Sequence, residues 1–359
     1  MTTPSPRRIG ILWDRVFLEH DTGSGHPERP ERLKAIKEGL DSFKAGAELI
    51  YVKPREATEA EMLRVHTRHH LGMLAETEGT DHFFLDGDTP TSRHSFRVAR
   101  MAAGGSIELV KAVLDSEVST GFAFPRPPGH HAEAEGAMGF CLINNVAVAA
   151  AWASAERGLK RVAIVDFDVH HGNGTQHIFY DRREILYISS HRFPFYPGTG
   201  SAGEVGKGPG LGFTVNVPLP GGCGDPTFEL VYDRIICPIL EQYAPELVLV
   251  SAGFDIYKDD PLGGMDVSAA GFGMLGAKLR RAAEARPGGK IVFVLEGGYS
   301  LDGLRQGTLA VLDALSAAQA PTPKTSVNEP SDPTGEIRVM KDHLIPEIWK
   351  IQAKYWKTP

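Results

Sequence analysis

Two kinds of pattern alternate along the chain: short apolar runs rich in β-branched residues, and longer segments whose apolar residues recur at helical spacing. The short runs predict buried strands of a parallel sheet, because the helices of such folds cover both faces of the strands. We predict strands at residues 8–13, 121–124, 161–165, 184–191, 213–217, 246–255 and 290–299. Since helical segments separate these strands throughout, the pattern favours one α/β unit.

Several helix boundaries carry recognisable residues. Pro30 suits the first turn of a helix that continues to Leu40. Thr58, with Glu61 three positions later, forms a capping-box pattern at the start of a helix predicted over residues 57–79. The remaining helices are predicted over about residues 93–114, 145–156 and 226–243.

The C-terminal part of the chain changes character. Residues 316–336 are rich in proline, serine and threonine, which predicts a surface excursion. Residues 337–359 contain helical apolar spacing with aromatic anchors, which predicts a C-terminal helix that docks back. We therefore expect residues 1–359 to form a single domain.

The strand at 161–165 ends in the most informative stretch, Asp166-Phe-Asp168-Val-His170-His-Gly-Asn173. Side chains two positions apart on a strand point the same way, so Asp168 and His170 can grip one metal ion. An Asp-x-His pair alone is more often an ordinary strand end. Three other strand ends also carry candidate catalytic or metal-binding side chains, namely His130 with His131, Asp255, and Tyr299.

Ligands of open α/β sheets bind beyond the carboxyl ends of the strands, so these groups are expected to meet. A hydrolytic zinc site uses three protein ligands and one open position, which Asp168, His170 and Asp255 can supply. The paired histidines His130 and His131 can take up a proton near neutral pH. Together these groups predict metal-assisted hydrolysis of an amide.

Further residues would support that chemistry. Asp166 and Asn173 can orient the two histidine rings, and because an aspartate raises a histidine's proton affinity more than an asparagine does, the rings should differ in basicity. Tyr299 can donate a hydrogen bond where an oxyanion develops.

Other polar motifs have simpler interpretations. The trio His66, His69 and His70 is more typical of packing or surface residues than of metal ligands. The glycine-rich loop at residues 195–203 has no following helix and no P-loop lysine, so it is a poor phosphate cradle. His26 either lines a cleft or closes its own loop, and both interpretations stay open.

Composition limits the partners. The chain has 359 residues, 42% of them hydrophobic, and a formal net charge of −7. That charge argues against direct nucleic-acid binding and is compatible with a cationic substrate. The three cysteines lack zinc-finger spacing and are predicted to be reduced thiols. With no apolar stretch of membrane-span or signal-peptide type, we expect a soluble cytoplasmic protein.

Five motifs, taken in order, resemble the zinc-dependent histone deacetylase family, which includes bacterial histone-deacetylase-like amidohydrolases and acetylpolyamine amidohydrolases. They are Arg126-Pro-Pro-Gly-His-His-Ala132, Gly139-Phe-Cys141, Asp166 to Thr175, Ala252-Gly-Phe-Asp255 and Glu296-Gly-Gly-Tyr299. The resemblance extends from His26-Pro-Glu to Tyr355-Trp356, and both Asn173 and the His-Pro-Glu segment are similar to the class II branch.

The resemblance implies an arginase-like α/β fold with a central, mostly parallel sheet of about eight strands flanked by helices. It implies zinc binding by Asp168, His170 and Asp255. His131 would be the base, with His130 as electrostatic partner and proton donor. It pairs Asp166 with His130 and Asn173 with His131, and it makes Tyr299 the group that polarises the acyl carbonyl.

The resemblance also implies a substrate tunnel and two potassium sites. Tunnel and substrate contacts would come from Phe140, Tyr196, Gly139 and Gly297; the family usually has phenylalanine at position 196, so the tunnel width and acyl preference of the family are not carried over to this chain. Asp88, in the acidic loop around Asp86, would clamp the substrate backbone. The potassium sites would involve Asp166, Asp168, His170, Ser189 and Ser190 for the first, and backbone carbonyls near Phe179 and Phe213 for the second.

These expectations describe a zinc amidohydrolase that deacetylates acetyllysine or small acetylated amines. An acetylpolyamine-specific deacetylase is the first alternative. An arginase-like ureohydrolase or a non-catalytic acyl-lysine binding module fits less well, because the Gly-Gly-Tyr299 motif is present. The sequence identifies no physiological substrate, predicts no nucleic-acid or membrane partner, and leaves a homo-oligomer open.

Overall fold

In a computed structural model, the described residues are 6–44, 46–286, 288–317 and 335–359. An eight-stranded sheet runs through the molecule in the order β2-β1-β5-β10-β9-β6-β7-β8, and every neighbouring pair is parallel. Its strands are β1 (Arg7–Leu12), β2 (Ala47–Tyr51), β5 (Thr120–Ala123), β6 (Val162–Asp166), β7 (Ile185–Arg192), β8 (Thr214–Leu219), β9 (Leu247–Ala252) and β10 (Lys290–Leu295). A separate antiparallel hairpin consists of β3 (Phe83–Phe84) and β4 (Pro90–Thr91).

Helices flank this sheet. The α-helices are α1 (Glu31–Ser42), α2 (Glu59–Met62), α3 (Arg68–Glu76), α4 (Ser95–Leu114), α5 (Asn145–Glu156), α6 (Asn173–Phe179), α7 (Asp225–Val231), α8 (Cys237–Tyr243), α9 (Ala269–Glu284), α10 (Leu301–Ser316), α11 (Glu336–Val339) and α12 (Ile345–Gln352). Short 3-10 helices lie at Arg15–Glu19 and Gly208–Gly210, and π-helical turns at Tyr232–Ile236 and Met340–Leu344.

Packing explains the apolar runs of the sequence. Every residue of β6 and of β9 is buried, so both faces of these central strands are covered. Helix α10 packs between α1 and α9, while α4 packs against α5. Because the central strands have no solvent face, they need apolar side chains at successive positions rather than at alternate ones. Among the described residues, no helix combines the length and apolar character that a membrane crossing requires.

The prediction of a single helix over residues 57–79 is wrong. The capping box of Thr58 and Glu61 does start α2, but the helix stops and α3 begins anew. Thr67 has extended backbone angles, caps α3 with its side chain, and donates its N–H to Ala134 O at 2.8 Å. A long-range backbone hydrogen bond therefore interrupts a segment whose apolar spacing is helical.

The edge strand β2 and the β3–β4 hairpin were not predicted. Strand β2 contains only exposed and half-buried residues, and β3 is exposed, so neither presents the continuous buried apolar run that marks the inner strands. The segment predicted as a helix over 226–243 is helical throughout, although it contains a π-helical turn between α7 and α8.

The C-terminal helices contact the rest of the molecule through tryptophans. Trp349 Nε1 donates to Arg234 O at 2.9 Å, and Trp356 Nε1 donates to Gly212 O at 3.0 Å. The Trp356 ring packs edge-on against Phe213. Most of the surface excursion predicted over 316–336 lies outside the described residues, and the single-domain organisation stays a prediction.

Candidate active site

Four adjacent strands deliver the candidate groups to one edge of the sheet. In the sheet order, β5, β10, β9 and β6 are consecutive. The ends of these strands and the segments that follow them carry His130 and His131, Tyr299, Asp255, and the residues from Asp166 to Asn173. Because all four strands are parallel, their carboxyl ends lie side by side, and the predicted convergence of these residues is observed.

Asp168, His170 and Asp255 form the one group of potential metal ligands found among the described residues, with ligand atoms within 4.8 Å of one another. His170 Nδ1 lies 3.0 Å from Asp168 Oδ1 and 3.4 Å from Asp255 Oδ2. Asp255 Oδ2 is buried without a hydrogen-bond partner. An orphaned carboxylate oxygen is costly in a protein interior. The donor set of one imidazole and two carboxylates therefore fits a divalent cation such as zinc.

Glycines make room for the two carboxylates. A Cβ at Gly297 would lie 2.1 Å from Asp255 Oδ2, and one at Gly253 would lie 2.1 Å from Asp168 Oδ2. Gly297 N also donates to Asp168 Oδ2 at 2.8 Å. Gly297, predicted as a substrate contact, thus sits directly against the candidate ligands.

His130 is paired with a carboxylate. Its Nδ1 lies 3.0 Å from Asp166 Oδ2, and Tyr187 Oη donates to the same oxygen at 3.1 Å. Burial disfavours the charged ring, but the carboxylates of Asp168 and Asp166 outweigh this and raise the pKa of His130 to about 10. The neighbouring carboxylates therefore favour the protonated form of His130.

His131 has a neutral partner. Its Nδ1 lies 2.7 Å from Asn173 Oδ1. Burial, followed by the neighbouring charge of His130, holds the pKa of His131 well below its ordinary value. The two rings, whose centroids are 4.0 Å apart, differ in basicity, as their different partners led us to expect. His131 is the ring that stays neutral and able to accept a proton.

Tyr299 is fixed from two sides. Asp260 Oδ2 accepts from Tyr299 N at 2.6 Å, and Arg32 Nε donates to Gly298 O at 2.6 Å. The Arg32 guanidinium lies 5.2 Å from the centre of the Tyr299 ring. Gly298 has φ of +113°, a conformation that favours glycine. Burial raises the pKa of Tyr299 well above 10, so its hydroxyl remains a donor.

Phe140 and Tyr196 stand beside these groups. The Phe140 ring is edge-on to Tyr299 with 6.0 Å between centroids, and the Tyr196 ring is edge-on to His131 at 5.2 Å. Phe140 has φ of +68°, and its N–H donates to Thr89 Oγ1 at 3.1 Å. A Cβ at Gly139 would lie 2.4 Å from His131 Cδ2, so only glycine lets this turn approach the base.

The acidic loop lies at the mouth of the site. Asp88 is exposed, its N–H donates to Asp86 Oδ1 at 3.0 Å, and its carbonyl lies 3.3 Å from His26 Nε2. Partial burial and the charge of Asp86 raise the pKa of Asp88. His26 packs edge-on against Phe140 at 4.7 Å, so it both closes its loop and lines the rim.

Several of the residues predicted for potassium binding have other contacts in the structure. Ser189 is the register neighbour of Asp166 in the sheet, and its Oγ lies 2.9 Å from His191 Nδ1. Ser190 Oγ is buried without a partner. At the second predicted site, the Phe213 carbonyl accepts from Tyr187 N and the Phe179 carbonyl from Arg182 N. Both potassium sites stay predictions.

Two motifs have the structural roles that were favoured. His66 Nδ1 lies 2.9 Å from Glu133 O, and His66 Nε2 accepts from Asn144 N at 2.9 Å. In the glycine-rich loop, Glu204 Oε1 accepts from Gly200 N at 3.1 Å and from Ser201 N at 2.9 Å. A carboxylate of the chain itself thus occupies the backbone donors that a phosphate would need.

A layer of buried charged side chains was not predicted from the sequence. Glu28 accepts from Arg126 Nη2 at 2.7 Å and from Arg32 Nη1 at 3.0 Å, and all three side chains are fully buried. Glu296 Oε2 accepts from Gly129 N at 2.7 Å and from His130 N at 3.1 Å, which fixes the turn before the paired histidines. The motifs contained these residues, but their partners are distant in sequence.

Comparison with known proteins agrees with this geometry. The family model described as the histone deacetylase domain matches residues 26–315, which is most of the chain. The chain belongs to the histone deacetylase family. Its architecture is accordingly the arginase/deacetylase-like fold that the sequence predicted.

Individual relatives of this family cover nearly the whole chain. A probable deacetylase of Archaeoglobus fulgidus is 36% identical over 97% of this chain and 98% of its own length. A histone deacetylase-like amidohydrolase of Pseudomonas aeruginosa is 37% identical over 88% of this chain and 87% of its own length. Histone deacetylase 15 of Arabidopsis thaliana is 40% identical over 93% of this chain but only 59% of that longer protein.

A solved structure shows the same fold. The crystal structure of the HDA15 HD domain superposes with a TM-score of 0.86 and 38% sequence identity, covering 97% of this chain and 96% of that one. The family is one of deacetylases, so the chain is a hydrolase of amide bonds.

Proposed function

We propose that this deacetylase is a zinc-dependent amidohydrolase that removes acetyl groups from acetyllysine or from small acetylated amines. The observation that carries the proposal is the position of the Asp168, His170 and Asp255 cluster, which lies beside His131 and close to Tyr299. His131 and His170 have ring centroids 5.7 Å apart. The candidate ligands, the base and the oxyanion donor thus lie near one another at the same edge of the sheet.

Zinc held by these three residues would activate a water molecule and polarise the acyl carbonyl. The other steps belong to side chains of the chain. His131 would take the proton of the attacking water at Nε2, since its Nδ1 is engaged by Asn173. His130, held by Asp166, would stabilise developing negative charge and return a proton to the departing amine.

Tyr299 would donate its hydroxyl proton to the oxygen of the acyl group, where negative charge develops during attack. Its raised pKa and the fixed backbone on both sides of it suit this role, because a preorganised donor needs no rearrangement during the reaction. Phe140 and Tyr196 would form the walls around the acylated side chain, with Gly139 behind the base.

Asp86 and Asp88 at the mouth favour a positively charged amine substrate. This observation supports the second candidate, an acetylpolyamine deacetylase, in which Asp88 would contact the distal ammonium group. In the lysine-deacetylase case, Asp88 would accept hydrogen bonds from the substrate backbone. The variant Asp88→Asn separates the polyamine substrate from the lysine substrate. Asp81→Asn is its control, because the Asp81 carboxylate lies on the same loop but is paired with Arg93. A loss larger for acetylspermidine than for an acetyllysine peptide favours the polyamine substrate.

We also infer that potassium binds beside Asp166 and Ser189 and near Phe179 and Phe213. A cation next to Asp166 would weaken the raising effect of that carboxylate on the pKa of His130. Activity measured in potassium and in tetramethylammonium salts of equal ionic strength tests this inference. Equal rates in both salts would contradict a role in catalysis.

The main test is steady-state hydrolysis by the zinc-loaded protein of an acetyllysine peptide, a trifluoroacetyl-lysine reporter, N-acetylputrescine and N-acetylspermidine, each with a chelator control. We expect the protein to hydrolyse at least one of the four compounds. Chelation should abolish this hydrolysis, and added zinc should restore it. Turnover that survives complete metal removal would contradict the zinc mechanism. If none of the four compounds is hydrolysed in a metal-dependent way, the proposed substrate classes are contradicted.

A further inference from the structure

A carboxylate that the proposed mechanism does not use lies directly behind the base. Asn173 Nδ2 donates to Glu133 Oε1 at 2.5 Å, while Asn173 Oδ1 faces His131 Nδ1 at 2.7 Å. The chain of contacts thus runs from the carboxylate through the amide to the imidazole. Asn173 is 3% exposed, so this amide has little access to water.

The orientation of an asparagine amide depends on its partners. A carboxylate offers acceptors only, so the NH2 end of Asn173 must face Glu133. The carbonyl end then faces His131. The other acceptors near Nδ2 are weaker or more distant, namely Met138 Sδ at 3.3 Å and His131 O at 3.5 Å. Glu133 is therefore the group that decides which way this amide points.

The amide orientation in turn decides the tautomer of the neighbouring ring. A carbonyl oxygen at His131 Nδ1 requires a proton on Nδ1, which leaves the lone pair on Nε2. If the amide were reversed, its NH2 group would meet Nδ1, and the ring proton would move to Nε2. In that state Nε2 accepts no proton from water.

We propose that Glu133 is a positioning residue that holds His131 in the tautomer able to act as a base, by fixing the orientation of Asn173. The inference rests on the proposed role of His131 in deacylation. An aspartate in place of Asn173 would need no such help, since both of its oxygens are acceptors. The asparagine of this chain depends on Glu133 for its orientation.

Glu133 is itself held in place. Its backbone N–H donates to Gly136 O at 2.8 Å, and its carbonyl accepts from His66 Nδ1 at 2.9 Å. On the solvent side, His177 Nδ1 lies 2.8 Å from Glu133 Oε1. Glu133 is therefore anchored at its backbone, and its Oε1 is contacted by both Asn173 and His177, as a fixed orienting group requires.

The test is a set of four variants: Glu133→Ala, which removes the carboxylate, and the nearly isosteric Glu133→Gln, Asn173→Asp and double variant Glu133→Gln/Asn173→Asp. Glu135→Gln is the matched control, because Glu135 is an exposed carboxylate two residues away. Turnover of an acetyllysine reporter, zinc content and thermal unfolding are measured for each zinc-loaded protein.

Glu133→Ala should lower kcat by about 10- to 100-fold with little change in KM, as loss of a partner behind a functional histidine typically does. Glu133→Gln, which keeps an acceptor, should lose less. Asn173→Asp alone should also lose activity, because its new carboxylate would lie against Glu133. The double variant should recover most of the activity, since the glutamine can donate to the aspartate and the aspartate accepts from His131 Nδ1.

Losses that multiply in the double variant, or an unchanged kcat in Glu133→Ala, would overturn the inference. A purely structural role of Glu133 predicts such multiplied losses and no rescue.

A second readout needs no turnover. The ring nitrogens of His131, assigned by ¹⁵N NMR against a His131→Gln variant, should show a protonated Nδ1 and a bare Nε2. In Glu133→Ala the proton should move, at least in part, to Nε2. An unchanged tautomer would overturn the inference even if the chain proved to have no deacetylase activity, whereas absent activity with the expected tautomers would overturn only the proposed function.

Discussion

Asp260 accepts a hydrogen bond from the backbone N–H of Tyr299, with 2.6 Å between Asp260 Oδ2 and Tyr299 N. The same oxygen accepts from Ser300 N at 3.0 Å, and Asp260 Oδ1 accepts from Leu262 N at 2.9 Å. One buried carboxylate thus joins the loop after Asp255 to the loop that carries the oxyanion donor. The position of Tyr299 depends on this link as well as on its own strand.

We expect Asp260→Ala to lower kcat by roughly 10-fold or more, because loosely held catalytic donors lose much of their effect. The comparison is a double-mutant cycle with Tyr299→Phe. If Asp260 acts through the Tyr299 hydroxyl, Asp260→Ala should cost little in the Tyr299→Phe background. Equal fold losses in both backgrounds would show that Asp260 acts on something else.

Tyr299→Phe itself should lower turnover of an acetyllysine substrate by about 100-fold, the usual effect of removing one oxyanion donor. Zinc content should stay the same, because the hydroxyl is not among the candidate ligands. The control is Tyr51→Phe, which removes an exposed hydroxyl on an edge strand. Near-normal turnover of Tyr299→Phe would contradict the role assigned to this residue.

Asp255→Ala should abolish zinc retention, since it removes one of three candidate ligands and the oxygen left without a partner in the protein. Metal content after gel filtration, measured by mass spectrometry, checks this expectation. Asp259→Ala removes an exposed carboxylate from the same loop and should leave the metal content unchanged. If the two variants retained equal zinc, the ligand would have to be sought elsewhere.

Acid should destabilise the protein through its buried neutral histidines. Burial, followed by the nearby His70, lowers the pKa of His66 to about 3, and its Nε2 accepts from Asn144 N. Below about pH 6.5 the unfolded chain takes up a proton that the folded His66 does not. The free energy of unfolding should therefore fall as the pH falls from about 6.5 to 3, by up to about 1.4 kcal/mol per pH unit for this group.

Urea unfolding between pH 4 and pH 7 measures this dependence. His66→Gln should reduce the slope of this dependence, because position 66 then has no imidazole to take up a proton in the unfolded state. The exposed His69 provides the control, and His69→Gln should leave the slope as it is in the unmodified chain. Identical slopes for all three proteins would show that His66 is not a source of the acid sensitivity.

The sequence by itself determined the buried parallel strands and the chemical groups at their ends. The reason is local: a strand buried on both faces must be continuously apolar, and the period of two places Asp168 and His170 on the same side. The pairing of His130 with Asp166 and of His131 with Asn173 also followed from the sequence, through the resemblance of its motifs to the family.

Only the tertiary structure decided several other contacts between residues that are distant in sequence. The interruption between α2 and α3 depends on a hydrogen bond from Thr67 to Ala134, and the support of Asn173 by Glu133 depends on how the loop of Glu133 packs against the start of α6. Such contacts leave no periodic pattern in the chain, because each partner alone is an ordinary polar residue. Their energetic value arises only when folding removes both from water and leaves each with the other as its partner.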